Sequence, residues 1–126
     1  MAKIKISIGK TIGTDRLEAW AMSNLRSERT GLPNIYIWVS TKAGVQHGPR
    51  IKVSKIKGKF AATDAETFSV SISIKPEVVD GTCEFPSKDL NEVFRWVTLN
   101  KDVLLRFWES DDMDYEDLKP LLKRLP

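Results

Sequence analysis

The residues with the most chemical potential in this chain are cations. Arg50, Lys52, Lys55, Lys57 and Lys59 place five positive charges within ten residues. Such a run neutralises phosphates, which gives nucleic-acid binding that weakens with salt. Just before it, Tyr36 and Trp38 alternate with Ile35, Ile37 and Val39. That alternation puts the two aromatic rings on the polar face of a neighbouring strand. Aromatics beside Lys and Arg on a sheet form a platform on which bases stack. Trp38 therefore joins the five cations as a candidate nucleic-acid contact. A plainer reading is a solvated sheet face whose lysines discourage edge pairing. Tyr36 and Trp38 equally suit the core of a strand buried on both faces.

Carboxylates are the second concentration. Glu109, Asp111, Asp112, Asp114, Glu116 and Asp117 put six acids into nine residues. The spacing lacks the central Gly and terminal Glu of a calcium-binding loop, so it reads as a solvated connector. It also has the charge to cover the basic sheet face, within the molecule or in a dimer.

His47 is the chain's single His and Cys83 its single Cys. Together they cannot make a tetrahedral nitrogen and sulfur zinc site. No acid, base and nucleophile converge in the sequence, and no glycine-rich phosphate loop is present. We therefore expect no catalytic residues, no metal and no cofactor. Trp96 and Phe107 exceed what one helix face needs for a core. If exposed, they mark a partner surface; core is the plainer reading.

The charge is unevenly distributed. Residues 1–60 hold twelve Lys or Arg against three acids, and residues 61–126 hold eight against fourteen. The net charge of +3 thus hides a basic first half and an acidic second half. The 126 residues, 41% hydrophobic and 29% charged, suit one folded domain over 1–126. No apolar run has transmembrane length, and the opening Met-Ala-Lys-Ile-Lys-Ile lacks a signal-peptide core. A lone Cys fits a reducing cytoplasm.

Several elements must position these groups. Residues 3–8 alternate as a strand, and Gly9–Gly13 breaks it. Leu17, Trp20, Ala21 and Leu25 share a helical face, which predicts a helix over 14–30 ended by Gly31 and Pro33. Strands follow at 35–41 and 50–53. Ile56 and Phe60 then have the opposite parity from Ile51 and Val53, so a bulge or turn belongs near Ser54. Residues 68–75 alternate Phe68, Val70, Ile72 and Ile74 with Ser69, Ser71, Ser73 and Lys75, a strand with one solvated face. Residues 87–109 are helical, with Asn100 a candidate cap that would divide them into two helices. An acidic connector and a short terminal helix limited by Pro120 occupy 110–126.

Residues 35–109 resemble the small bacterial family called domain of unknown function 4160. The similarity rests on the strand-loop-strand ending in Gly48-Pro49-Arg50-Ile51-Lys52-Val53, on the strand at 68–74, and on the helix end from Asn100 to Glu109. The family shows Pro-Pro-His-x-His-Val at the first and Asn-x-x-x-Leu-Leu-x-x-Trp at the last. Arg50 and Lys52 stand where the two histidines would fall, so no role of those histidines carries over. The resemblance implies no established activity. It does imply a place in two-gene modules resembling toxin–antitoxin pairs.

The expected architecture is α+β: an antiparallel sheet of four or five strands packed against an N-terminal helix and a long C-terminal helix. The expected role is a non-catalytic interaction protein of the cytoplasm. It would act through a protein partner or as a homo-oligomer, with nucleic acid as the alternative ligand and no membrane.

Overall fold

The computed structural model describes residues 22–25, 30–42 and 47–126. It is α+β. Five strands form one sheet in the order of the sequence: β1 (Met22–Leu25), β2 (Ile37–Ser40), β3 (Arg50–Ser54), β4 (Thr67–Ser71) and β5 (Val78–Asp80). Each strand pairs antiparallel with the next, so the sheet is a meander. Helices α1 (Ser87–Leu99), α2 (Lys101–Glu109) and α3 (Tyr115–Leu118) follow it.

Alternation sets the inner face. Ile37, Ile51, Val53 and Val70 are fully buried, and Phe68 nearly so. They share one apolar cluster with Val93, Trp96 and Val97 of α1 and with Leu104 and Phe107 of α2. Hydrophobic burial of a period-two face against a helical stripe is thus the main organising contact.

The helix expected over 14–30 is overturned at Met22–Leu25, which is a strand. Its register, Met22↔Ser40 to Leu25↔Ile37, gives that segment backbone partners on β2 and buries Leu25 completely. Pairing with a neighbouring strand outweighed a helical spacing of apolar residues. The remaining parts of that expectation, and the strand expected at 3–8, lie outside the described residues.

The strand expected over 68–75 stops at Ser71. There the Ser71 hydroxyl accepts from the Glu77 amide at 3.1 Å and lies 3.2 Å from the Ser73 hydroxyl. A side chain that takes up turn donors competes with the ladder. Ile72 is still buried, but Ile74 is 85% exposed. Nor is the outer face of β4 solvated, because Ser69 is only 1% exposed.

Asn100 divides the long helical segment, at the expected place but by a different mechanism. Its side chain makes no cap to α2. Instead its amide donates to the Trp96 carbonyl (3.0 Å) and the Lys123 carbonyl (2.8 Å), and its oxygen accepts from the Lys123 amide (2.7 Å). The C-terminal residues are thereby tied to the helix break. Two residues on, the Leu125 amide donates to the Thr30 carbonyl at 2.9 Å. Gly31 permits this approach: its φ is +77°, and a Cβ there would lie 2.5 Å from the Leu125 carbonyl oxygen. The terminal helix is shorter than expected. It ends at Leu118 and passes into a 3₁₀ turn, Lys119–Leu121, that contains Pro120.

Asn100→Ala should lower stability by about 2–4 kcal/mol, because it removes three hydrogen bonds and leaves backbone groups of Lys123 unpaired. Urea unfolding checks this. Asn100→Asp should recover only part of the loss, since a carboxylate keeps the acceptor and loses the donor.

Candidate interaction surface

The expected basic site lies on β3 and on the connection to β4. Residues 55–58 turn sharply, with Gly58 at φ +83° and its amide donating to the Asn34 carbonyl at 2.6 Å. The turn accounts for the broken parity of Ile56 and Phe60. The returning chain is pinned where the Ala61 amide donates to the Ser54 hydroxyl at 3.0 Å. Ser54 is buried, so this bond also satisfies a hydroxyl that would otherwise be costly.

Phe60 then covers the outer sheet face. Its ring meets Trp38 edge-on at 5.2 Å and Tyr36 at 5.4 Å. Trp38 is 3% exposed, in a small cluster with Ala61 and Tyr36. This corrects the candidate base-stacking role of Trp38. The ring belongs to a second core on the outer side of the sheet, and no base can reach its face. Trp96 and Phe107 are corrected likewise. They are 0% and 4% exposed and sit inside the main core, so neither marks a partner surface.

The five cations are not equivalent. The Lys52 ammonium pairs with the Asp64 carboxylate at 2.5 Å, and that of Lys57 with Asp89 at 3.3 Å. Arg50 buries its Nε without a hydrogen-bond partner. Lys55 and Lys59 make no ion pair among the described residues and flank Ile56, which is 45% exposed, with Phe60 at 51%. The sequence marks these apolar residues only by their parity, which departs from the strand before them. They are the exposed apolar groups of the connection.

Beneath the connection is a cavity of about 190 Å³. Lys55, Ile56, Lys59 and Ala61 line it together with Ala65, Glu66 and Glu84. Its walls are braced by backbone bonds from Lys55 to the Glu66 carbonyl (2.9 Å) and from Glu84 to the Lys55 carbonyl (3.1 Å). Glu84 and Ala65 carry no motif that reveals this role, because the contact is created by pairing distant segments.

Among the described residues of one chain, no ion pair joins the acidic segment to the cations of the basic run. Glu109 pairs with Lys42 at 2.7 Å, and that hydrogen bond, with the attraction behind it, raises the Lys42 pKa. The Ser110 hydroxyl accepts from the Met113 amide at 2.6 Å. Asp114 and Asp117 form a reciprocal capping box on α3. These acids are occupied in building a turn and a helix start. Among the described residues no group of three or more His, Cys, Asp or Glu is placed to hold a metal ion. His47 is exposed, with Nδ1 2.9 Å from the Gly48 carbonyl and its ring 5.6 Å from that of Trp108. Among the described residues no helix is long and apolar enough to cross a membrane.

Cys83 is partly buried, and its thiol donates to the Phe85 carbonyl at 3.5 Å. Burial pushes its pKa up, with Asp89 and Glu84 adding in the same direction. The thiolate, which is the reactive form, is therefore scarcer than in a free thiol at the same pH. Iodoacetamide at pH 8 should alkylate Cys83 several-fold more slowly than glutathione, with the gap narrowing as pH rises. Equal rates at pH 8 would show a solvated, ordinary thiol.

Compared with protein families, with curated proteins and with solved structures, the chain matches none of them.

Proposed function

We propose that this chain is a non-catalytic binding module that works through a protein partner, with residues 55–61 as the contact surface. The observation that carries the reading is the pair of exposed apolar side chains, Ile56 and Phe60, beside Lys55 and Lys59, whose ammonium groups make no ion pair among the described residues. An aromatic anchor resting on a packed base, with a charged rim, is the usual composition of an interaction hot spot. The free lysines favour a partner that presents acidic groups around an apolar one. The cavity walls and the aromatic base fix the surface before binding, so little ordering cost falls on association. The lone Cys83 and the resemblance to a family of two-gene modules support a bacterial cytoplasmic setting and a dedicated partner.

Nucleic acid is the second reading, favoured by Phe60 as an exposed ring beside free lysines. It is weakened by the two carboxylates that already hold Lys52 and Lys57, and by the burial of Trp38.

Both readings meet the same experiment. Immobilised protein is compared with Ile56→Asp and Lys59→Glu variants, which alter exposed side chains of a turn and should leave Tm within a few degrees. The partner reading expects proteins retained by the native chain and lost from both variants. A clean monomer at high concentration, with identical retention by all three proteins, would sink it. Micromolar binding of single-stranded RNA or duplex DNA that collapses between low and moderate salt, and fails in Lys59→Glu, would put nucleic acid in its place.

A further inference from the structure

The cavity under residues 55–61 is small. At about 190 Å³ it falls below the roughly 300–1,000 Å³ of sites for drug-sized ligands and cofactors. It has room for about one amino-acid residue. Its lining includes Ala61 and Ala65, with Ile56 as the larger apolar side chain.

Charge is what distinguishes it. Glu66 is already engaged, with its Oε1 accepting from the Ala62 amide at 2.7 Å. Lys55, Lys59 and Glu84 make no ion pair among the described residues, whereas Lys52 and Lys57, outside the lining, are each paired. Among the described residues the cavity therefore presents two unpaired cations and an unpaired anion beside apolar lining residues. A nucleotide phosphate suits neither the volume nor the two glutamates. A chain terminus suits both: a free carboxylate answers the lysines, the last amide N–H answers Glu84, and a small apolar side chain covers the alanines.

The geometry points to a pocket for the C-terminal residue of the partner protein, one with a small apolar side chain and a free α-carboxylate. This deepens the proposed function and rests on it, since the pocket opens beside the same Ile56 and Lys59. Capture of a terminal carboxylate is a recurring mode of peptide recognition. Charge-assisted hydrogen bonds to two ammonium groups supply its specificity.

The test is an NMR titration of the whole chain with acetylated tripeptides ending in Ala, Val or Leu, each as free acid and as amide. The free acids should shift the amides of Ala61, Ala65 and Glu84. The amidated twins should bind at least about tenfold more weakly, and Lys55→Met and Lys59→Met should each weaken the free acids several-fold. Ala65→Leu, at an exposed position, should fill the cavity and abolish binding without lowering Tm. Acid and amide binding alike, or no shifts at millimolar peptide, would overturn the inference. Tighter binding of free valine than of the acetylated peptide would overturn it in favour of a free amino acid. An Ala65→Leu chain that still retains partner proteins lost from Ile56→Asp would overturn the pocket alone and leave the surface reading standing.

Discussion

The structure depends on one side chain at the helix break. Asn100 is 2% exposed and holds both the end of α1 and the backbone of Lys123. Through Lys123 it fixes Leu125, whose amide closes onto Thr30 over Gly31. That contact orders the turn leading into β2, where Asn34 adopts φ 63° and offers its carbonyl to Gly58. The candidate surface is thus reached from the helix break by a series of hydrogen bonds, first from the Asn100 side chain and then between backbones. None is strong alone, since a net hydrogen bond contributes roughly 1 kcal/mol. Their importance is geometric: each joins segments distant in sequence, and each has a buried or strained group at one end.

The sheet has two cores. The inner one follows directly from alternation. The outer one exists because Phe60 and Ala61 return over Trp38, and it makes β2 a strand buried on both faces. This arrangement carries a polar cost. Ser69 Oγ and Arg50 Nε on the outer side, and Trp96 Nε1 in the main core, are buried without hydrogen-bond partners. Each such group costs roughly 1–3 kcal/mol. Packing of the large rings outweighs that cost, because an aromatic side chain buries a large apolar area and ring pairs add about 0.5–1.5 kcal/mol beyond area.

Much of this fold is legible in the sequence where periodicity is local. The helical spacing of Leu90, Val93 and Val97, the break at Asn100 and the inward set on β3 and β4 all appear where the side-chain pattern puts them. The misreadings are non-local. Leu17, Trp20, Ala21 and Leu25 have a helical spacing, yet Leu25 belongs to a strand because β2 offers a ladder. Trp38 and Trp96 are ambiguous from their own neighbours, and what covers Trp38 comes from more than twenty residues later in the chain. Ser71 ends its strand through a hydroxyl whose partner lies beyond Pro76.

Charge shows the same limit most sharply. The sequence divides into a basic and an acidic half, which suggests that one covers the other. The structure pairs charges locally instead. Lys52 and Lys57 find Asp64 and Asp89, and the acids of the 109–117 segment serve Lys42, a serine turn and a helix cap. A surface cation already held by a carboxylate has less to offer a ligand, because binding must first break or share that pair. The net charge of a face therefore overstates its affinity. What remains for recognition around the cavity is Lys55 and Lys59 against Glu84, none of them in an ion pair among the described residues. Those three charges share a cavity with exposed apolar groups, and that makes residues 55–61 the part of the basic run with chemistry left to use.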